Sequence, residues 1–190
     1  SSSDVRPLKR DYDCYITLLN QFRNEKYNPE KLYDISMFNV ADIGFNSLFL
    51  KACKDLVYIA TKNNIDCTSI QKKIIQTENK LISLYNKGDN SFYSFDILNK
   101  QSLEIPSITN YFILFADLKN QEINNSVIQS LKEYNSNEKY FFSSIKPDSK
   151  YFEEIRYWRG PVWINCNWIL YKGLLEKDLD FANKIKSHTL

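Results

Sequence analysis

The residue types that can bind a ligand are concentrated in one segment of the chain, residues 156–173. Flat aromatic faces beside arginine and asparagine donors are well suited to hold a sugar ring, because they combine apolar contact area with hydrogen-bond donors. We therefore predict a carbohydrate-binding surface in this segment, and close packing at a junction of helices is the alternative. The segment holds all three tryptophans of the protein and two arginines, Arg156, Trp158, Arg159, Trp163 and Trp168.

The same segment predicts a buried helix. Pro161 suits the first helical turn, and Gly160 lets the chain turn into the helix and leaves room for a close neighbour. Apolar residues cover every side from 162 to 175, which is typical of a helix buried all round. Asn165 and Asn167 would then either line a pocket or serve a structural role, and each needs a hydrogen-bond partner, because an unpaired buried amide costs about 1–3 kcal/mol.

Hydrophobic periodicity predicts six further helices. Helices that are apolar on most sides alternate with helices that have one wet face, and this alternation predicts two concentric layers. A break is expected at Asn28-Pro29, and a short hairpin at residues 92–95 and 102–105. A long loop over residues 135–156 leads into the tryptophan segment, which favours a functional loop. The six helices span about residues 11–24, 43–62, 69–85, 111–118, 123–134 and 178–190.

Acidic and amide residues near these elements are further candidates. Asp42 and Asn46 lie at the start of the 43–62 helix, where an Asp cap and a satisfied amide are the structural interpretation. The functional interpretation is that both face the same cavity as Trp163, and the sequence leaves the two open. Glu153 and Glu154 precede the tryptophan segment, and we expect them to be solvated loop charges.

Composition excludes several function classes. The net charge of +2 and the lack of a basic, aromatic-rich cluster give no argument for a nucleic-acid partner. The apolar segments are too short for a membrane span, which needs about 20 residues. Four scattered cysteines form no metal or disulfide framework, and Cys166 is expected to pack as a small apolar residue. His188 is the only histidine. We therefore expect a cytoplasmic protein with no metal and no cofactor.

Residues 157–168, Tyr-Trp-Arg-Gly-Pro-Val-Trp-Ile-Asn-Cys-Asn-Trp, resemble the signature of glycoside hydrolases related to family 63. That group includes processing α-glucosidases and mannosylglycerate and glucosylglycerate hydrolases. The resemblance covers roughly residues 10–175. Supporting segments follow in the order of the shorter microbial members, at residues 11–22, 27–33, 40–46, 92–96 and 105–108.

The resemblance implies an all-α fold, an (α/α)6 barrel of about twelve helices around a central pocket. Residues 1–190, with about seven helices, would be part of one such catalytic domain, completed by the remainder of the same polypeptide. The implied reaction is inverting hydrolysis of an α-glucoside or α-mannoside, with one carboxylic acid and one carboxylate. The acid is implied upstream of residue 11 and the base beyond the tryptophan segment, so no catalytic pair is assigned.

Within the implied domain, Tyr157, Trp158 and Trp163 line the sugar subsite, and Arg159 helps to hold that wall. Two alternatives stay open at this point. One is a helical scaffold or peptide-binding α-solenoid, although no solenoid repeat length is visible. The other is a different helical-barrel glycosidase, such as a glucoamylase or a debranching-type enzyme.

Overall fold

A computed structural model describes residues 7–134 and 142–189 of the chain. The predicted loop over 135–156 therefore lies partly outside the described residues, which resume at residue 142. The described part contains eight α-helices and one 3₁₀ turn, Ile108–Tyr111. The helices are α1 Lys9–Asn24, α2 Pro29–Ile35, α3 Ile43–Lys62, α4 Thr68–Ile82, α5 Ile113–Ala116, α6 Gln121–Tyr134, α7 Ile164–Leu174 and α8 Leu179–Thr189.

The helices form two layers. α3, α5 and α7 make an inner row in which each helix packs on the next, and α4, α6 and α8 pack behind them. The core between the layers is apolar and includes residues of both the inner and the outer helices. This arrangement confirms the predicted all-α fold of the (α/α)6 type. The fully buried core residues include Leu50, Ile113, Leu114, Leu131, Leu170, Leu174 and Ile185.

Gly173 allows the two inner helices α5 and α7 to approach closely. A Cβ atom at this position would lie 2.7 Å from the backbone nitrogen of Phe115 and 2.8 Å from the carbonyl carbon of Leu114. These neighbours are backbone atoms, so a side-chain rotation could not relieve the clash. Gly173, the last residue of the tryptophan segment, therefore sets the distance between α5 and α7.

Short strands form two small antiparallel sheets; β2 to β5 lie between α4 and α5 in the chain, and β1 precedes α3. One has the strand order β1-β4-β5, formed by Val40–Ala41, Ser94–Asp96 and Gln101–Leu103, and pairs Ala41 with Phe95 and Phe95 with Ser102. Its β4–β5 hairpin confirms the predicted one. The other sheet joins β2, Tyr85–Asn86, to β3, Ser91–Phe92. This second hairpin replaces the predicted end of the 69–85 helix, which stops at Ile82.

The prediction that Pro161 occupies the first turn of the last inner helix is wrong. α7 begins at Ile164, with Trp163 at the N-cap. Ser144 donates its backbone N–H to the Pro161 carbonyl at 3.0 Å, and Ser143 pairs with Val162 in an antiparallel bridge. These contacts hold the residues before α7 in an extended conformation, and they come from a distant part of the chain.

The predicted break at Asn28-Pro29 is present, since α1 ends at Asn24 before it, and the step also begins the next helix. Asn28 caps α2, since its side-chain oxygen accepts hydrogen bonds from the backbone N–H groups of Glu30 at 3.0 Å and Lys31 at 3.1 Å. Pro29 is the first residue of that helix, where its missing N–H is not needed. The step therefore starts a helix of seven residues.

The inner helices are less buried in this chain than their composition predicts. Ile164 and Trp168 on α7 are 61% and 46% exposed, so α7 is not buried all round. α3 likewise exposes an apolar stripe along one face. Its members lie 4, 11 and 14 residues after the first one, a spacing that places them on the same side of a helix. The stripe consists of Phe45, Phe49, Leu56 and Ile59.

The four cysteines are free thiols. Burial raises the pKa of the Cys166 thiol to about 11, so this side chain stays protonated and packs as an apolar group. Across residues 7–134 and 142–189, no helix is long and apolar enough to cross a membrane. The same residues contain no cluster of three or more histidine, cysteine or acidic side chains placed to hold a metal ion.

Candidate carbohydrate-binding site

Three aromatic rings form a single surface at the start of α7. Trp158 stacks on Trp163 with 4.7 Å between ring centroids and 26° between the planes, and Tyr157 meets Trp163 edge-on at 4.8 Å. The indole N–H of Trp163 donates to the Tyr157 carbonyl at 3.1 Å, which ties the loop to the helix. Tyr157 and Trp158 are each 50% exposed. We call Tyr157, Trp158 and Trp163 the aromatic cluster; its third member, Trp163, is partly buried and packs against the hydrophobic core.

Glu153 closes the loop that carries the aromatic cluster. Its Oε1 accepts a hydrogen bond from Arg159 Nη1 at 2.7 Å, and its Oε2 lies 3.4 Å from Arg156 Nη1. Its backbone N–H donates to the Arg159 carbonyl at 2.9 Å. Gly160 permits this crossing, because a Cβ atom there would lie 2.2 Å from the Glu153 carbonyl oxygen. Residues 153–160 are thus a closed turn with the rings at its tip.

The electrostatics of this turn keep Glu153 ionised. The hydrogen bond from Arg159 is the main cause that lowers the pKa of the Glu153 carboxyl, and Arg156 adds to it. Arg156 also reaches Asp11 at the start of α1, at 3.5 Å. The sequence predicts a solvated loop charge at Glu153. The carboxyl group is exposed. The sequence did not predict its ion pairs with Arg156 and Arg159, because only the closed turn brings Arg159 near the carboxyl group.

The two amides of α7 have different surroundings. Asn167 is fully buried, and its carboxamide accepts from the Phe142 N–H at 2.9 Å while it donates to the Phe142 and Trp163 carbonyls at 3.0 and 2.9 Å. The hydrogen-bond requirement predicted for a buried amide is therefore met at this position. Asn165 lies on the first turn of α7 with its side chain exposed, so solvent can satisfy it.

Asp42 and Asn46 are engaged at the start of α3. The Asp42 carboxylate accepts from the Phe45 N–H at 2.6 Å and from the Ser94 hydroxyl at 3.3 Å, and Asn46 donates to the Asp42 carbonyl at 2.8 Å. Asn46 also lines a cleft of about 900 Å³ between α3, α4 and the hairpins. The described lining of that cleft does not include the aromatic cluster, so the structure does not bring Asn46 and Trp163 into one cavity.

The fold and this site together define a class of protein. Paired helices in two layers, with exposed indoles and arginines at the start of an inner helix, are the arrangement of the helical-barrel glycoside hydrolases. Asp42 at the start of α3 lies in the same layer but has the geometry of a cap.

Comparison with known proteins agrees with that class. Residues 1–180 match the family described as the mannosylglycerate hydrolase MGH1-like glycoside hydrolase domain. The chain is 34% identical over 179 residues to a mannosylglycerate hydrolase of Thermus thermophilus, covering 94% of this chain and 43% of the relative. It is 32% identical over 172 residues to the mannosylglycerate hydrolase MGH2 of Selaginella moellendorffii, covering 90% and 35%.

Solved structures show the same likeness. A GH63 mannosylglycerate hydrolase from Thermus thermophilus in complex with glucose superposes with a TM-score of 0.93 at 31% identity, over 98% of this chain and 45% of that chain. The complex with Tris and D-glycerate gives a TM-score of 0.92 at 31% identity, over 98% and 46%. The chain belongs to the MGH1-like glycoside hydrolase family, and it spans less than half the length of the relatives it matches.

Proposed function

We propose that this chain forms part of an inverting α-glycosidase and supplies one wall of its sugar subsite. The observation that carries the proposal is the exposed aromatic cluster, held rigid by the Glu153 turn in a chain that belongs to a glycoside hydrolase family. The half-exposed rings of Tyr157 and Trp158 offer apolar contact area, and Arg159 beside them holds the turn closed. The family match does not favour the scaffold or α-solenoid alternative.

The catalytic carboxyl groups are proposed to lie outside this chain. An inverting pair needs one acid with a raised pKa and one carboxylate about 6.5–9.5 Å away, with room for water between them. Among the described residues, every carboxyl group with a clearly shifted pKa is shifted downward by hydrogen bonds or nearby cations. Glu153, the carboxylate within the turn, is ion-paired and therefore unsuited to protonate a leaving group.

The proposed substrate class is a glycoside of glycerate, either an α-mannoside or an α-glucoside. This proposal is supported by the relatives, which are named mannosylglycerate hydrolases and, at 23% identity, a glucosylglycerate hydrolase. The aromatic cluster would stack on the ring of the sugar, and both substrates contain such a ring. It does not by itself distinguish mannose from glucose, because a flat ring contact does not depend on the orientation of a single hydroxyl group.

The test is an assay of the polypeptide that carries this chain on mannosylglycerate and glucosylglycerate, with the anomer of the first product followed by NMR. We expect hydrolysis with inversion, and we expect Trp163→Ala to raise KM about tenfold, equivalent to about 1.4 kcal/mol of lost binding. Trp168→Ala is the matched control, since Trp168 lies on the same helix but packs on Phe115 at 6.3 Å. Absence of hydrolysis of either substrate would overturn the proposal.

We infer further that residues 1–190 are part of one barrel domain, whose remaining helices cover the apolar stripe on α3. α3 already packs on α4 and α5 and leaves this stripe uncovered. Its members range from 36% to 71% exposed. Radical footprinting should label Phe45 and Ile59 strongly in residues 1–190 alone and weakly in a polypeptide of the relatives' length. Equal labelling in both would contradict this assignment.

A further inference from the structure

Through its side chain, Asn167 connects the segment of Phe142 to the start of α7. A carboxamide offers two N–H donors and one oxygen, and here both donors and the oxygen are used within a fully buried environment. Its oxygen and one N–H pair with the backbone N–H and carbonyl of Phe142, in the way that a neighbouring strand residue would. The other hydrogen bond of Nδ2 goes to the carbonyl of Trp163 at 2.9 Å.

The Trp163 carbonyl is therefore held twice by the same residue. It accepts the first helical hydrogen bond of α7, from the backbone N–H of Asn167 at 3.1 Å, and also the bond from the Asn167 side chain. Two donors on one carbonyl fix the peptide plane that follows Trp163. Because the indole projects from the same residue, this fixes the direction in which the ring leaves the backbone.

Phe142 is the other partner of Asn167. The residues that follow Phe142 contact the chain just before α7. Ser144 in this segment donates to the Pro161 carbonyl at 3.0 Å, and its own carbonyl accepts from the Ile108 N–H at 3.1 Å. The segment that precedes the Glu153 turn and the helix that follows it thus meet at the Asn167 carboxamide. Asn165, two residues earlier, faces solvent and has no such position.

We propose that Asn167 is a positioning residue for sugar binding: it sets the orientation of Trp163, which then holds Tyr157 through its indole N–H. This inference rests on the proposed function, since it concerns the same site. Asn167 does not contact the sugar, because it is buried beneath the start of α7. Its effect on binding is transmitted by the aromatic cluster.

The first experiment needs no substrate. Two indoles stacked at 4.7 Å couple their electronic transitions and give a pair of circular dichroism bands of opposite sign. Asn167→Asp removes both donors at constant size, and we expect it to abolish this pair of bands at temperatures where the helical signal is intact. Leu170→Ala, which removes a fully buried side chain one turn later, should lower the unfolding temperature but keep the bands. Asn165→Asp should change neither.

The second experiment uses the polypeptide that carries this chain and measures kcat and KM for the better glycerate glycoside. We expect Asn167→Asp to raise KM about tenfold with a smaller change in kcat, the pattern of lost binding that is equal in ground and transition states. If Asn167→Asp keeps the paired bands, or if Leu170→Ala abolishes them equally, the positioning role is refuted. If the bands change as expected but no glycoside is hydrolysed, the proposed function fails while the structural coupling stands.

Discussion

The starts of the inner helices α3 and α7 differ in how their backbone N–H groups are satisfied. At α3 the side chain of Asp42 caps the Phe45 N–H, and Ser94 of β4 accepts from the Ile43 N–H and donates to Asp42, so protein groups satisfy the first turn. At α7 the N-cap is Trp163, whose side chain carries no acceptor oxygen, and among the described residues no side chain caps the first turn. Free N–H groups at a helix start favour oxygen ligands.

This difference supports the proposal that the sugar binds at the start of α7 and not at the start of α3. Polar groups at α3 bond to one another, and solvent is not needed to satisfy them. At α7 the stabilising hydrogen bonds come from Glu153 in the preceding loop and from the buried Asn167 within the helix, while Tyr157 and Trp158 stay half exposed. A ligand can therefore add contacts at α7 without breaking a cap, whereas at α3 it would first have to displace one.

The largest expected effect on binding comes from Gly160→Ala. The new Cβ would meet the Glu153 carbonyl at 2.2 Å, and because this neighbour is backbone, the turn has to open. We expect sugar affinity to fall at least about tenfold, measured by titration calorimetry with the glycerate glycoside. The companion variant Gly44→Ala, at the start of α3, would meet the Thr109 Cβ at 2.8 Å.

Gly44→Ala sharpens the comparison because it places a similar clash at the other helix start. We expect it to destabilise the protein by about 1–3 kcal/mol, as overpacked cores do, and to leave sugar affinity within about twofold. Urea unfolding and calorimetry on both variants measure the two effects separately. If Gly44→Ala weakened binding as much as Gly160→Ala does, the two helix starts would have to be parts of one site.

Removal of the α3 cap should have an intermediate effect, limited to stability. Asp42→Ala leaves the Phe45 N–H without its acceptor, and loss of an N-cap costs about 0.5–2 kcal/mol. We expect the urea midpoint to fall and sugar affinity to stay unchanged. Asp42→Asn, which keeps an acceptor oxygen, should restore most of the stability. A loss of affinity at unchanged stability would instead place Asp42 in the binding site.

The smallest effect is the acid sensitivity of the Glu153 turn. Because the arginines lower the pKa of the folded carboxyl group, the ion pairs contribute above the ordinary glutamate pKa of about 4.3 and are lost as the pH falls through the folded pKa. We expect tryptophan fluorescence to change in that acidic range in the wild type and to stay constant with pH in Glu153→Gln. Glu154→Gln is the matched control and should titrate like the wild type.

Local sequence was sufficient to predict the bounds of α3, from Ile43 to Lys62, because its cap and its apolar pattern both lie in neighbouring residues. It was also sufficient to select Tyr157, Trp158 and Trp163 as one group. It failed at Pro161, where helix preference favoured a first turn. Pairing with Ser143 and Ser144 holds that stretch extended, and such long-range contacts leave no local signal.

The interpretation of Asn167 and Glu153 was limited for the same reason. The sequence required hydrogen bonds for a buried amide, but it could not show that Phe142, 25 residues earlier, supplies two of them. Glu153 is followed by arginines at positions three and six residues ahead, a spacing that becomes an ion-paired turn only because Gly160 lets the backbone cross itself. Both contacts depend on chain crossings that residue preferences do not encode.

The most direct test of the central claim is the response of the three indole N–H signals to ligand. Residues 1–190 contain three tryptophans, and in a ¹⁵N-labelled sample of the polypeptide that carries this chain their three indole signals are identified by one Trp→Phe variant each. On addition of a thio-linked analogue of mannosylglycerate, which the enzyme cannot hydrolyse, we expect the Trp158 and Trp163 signals to shift together and the Trp168 signal to stay. A shift of Trp168 alone, or of none of the three at saturating ligand, would contradict the claim.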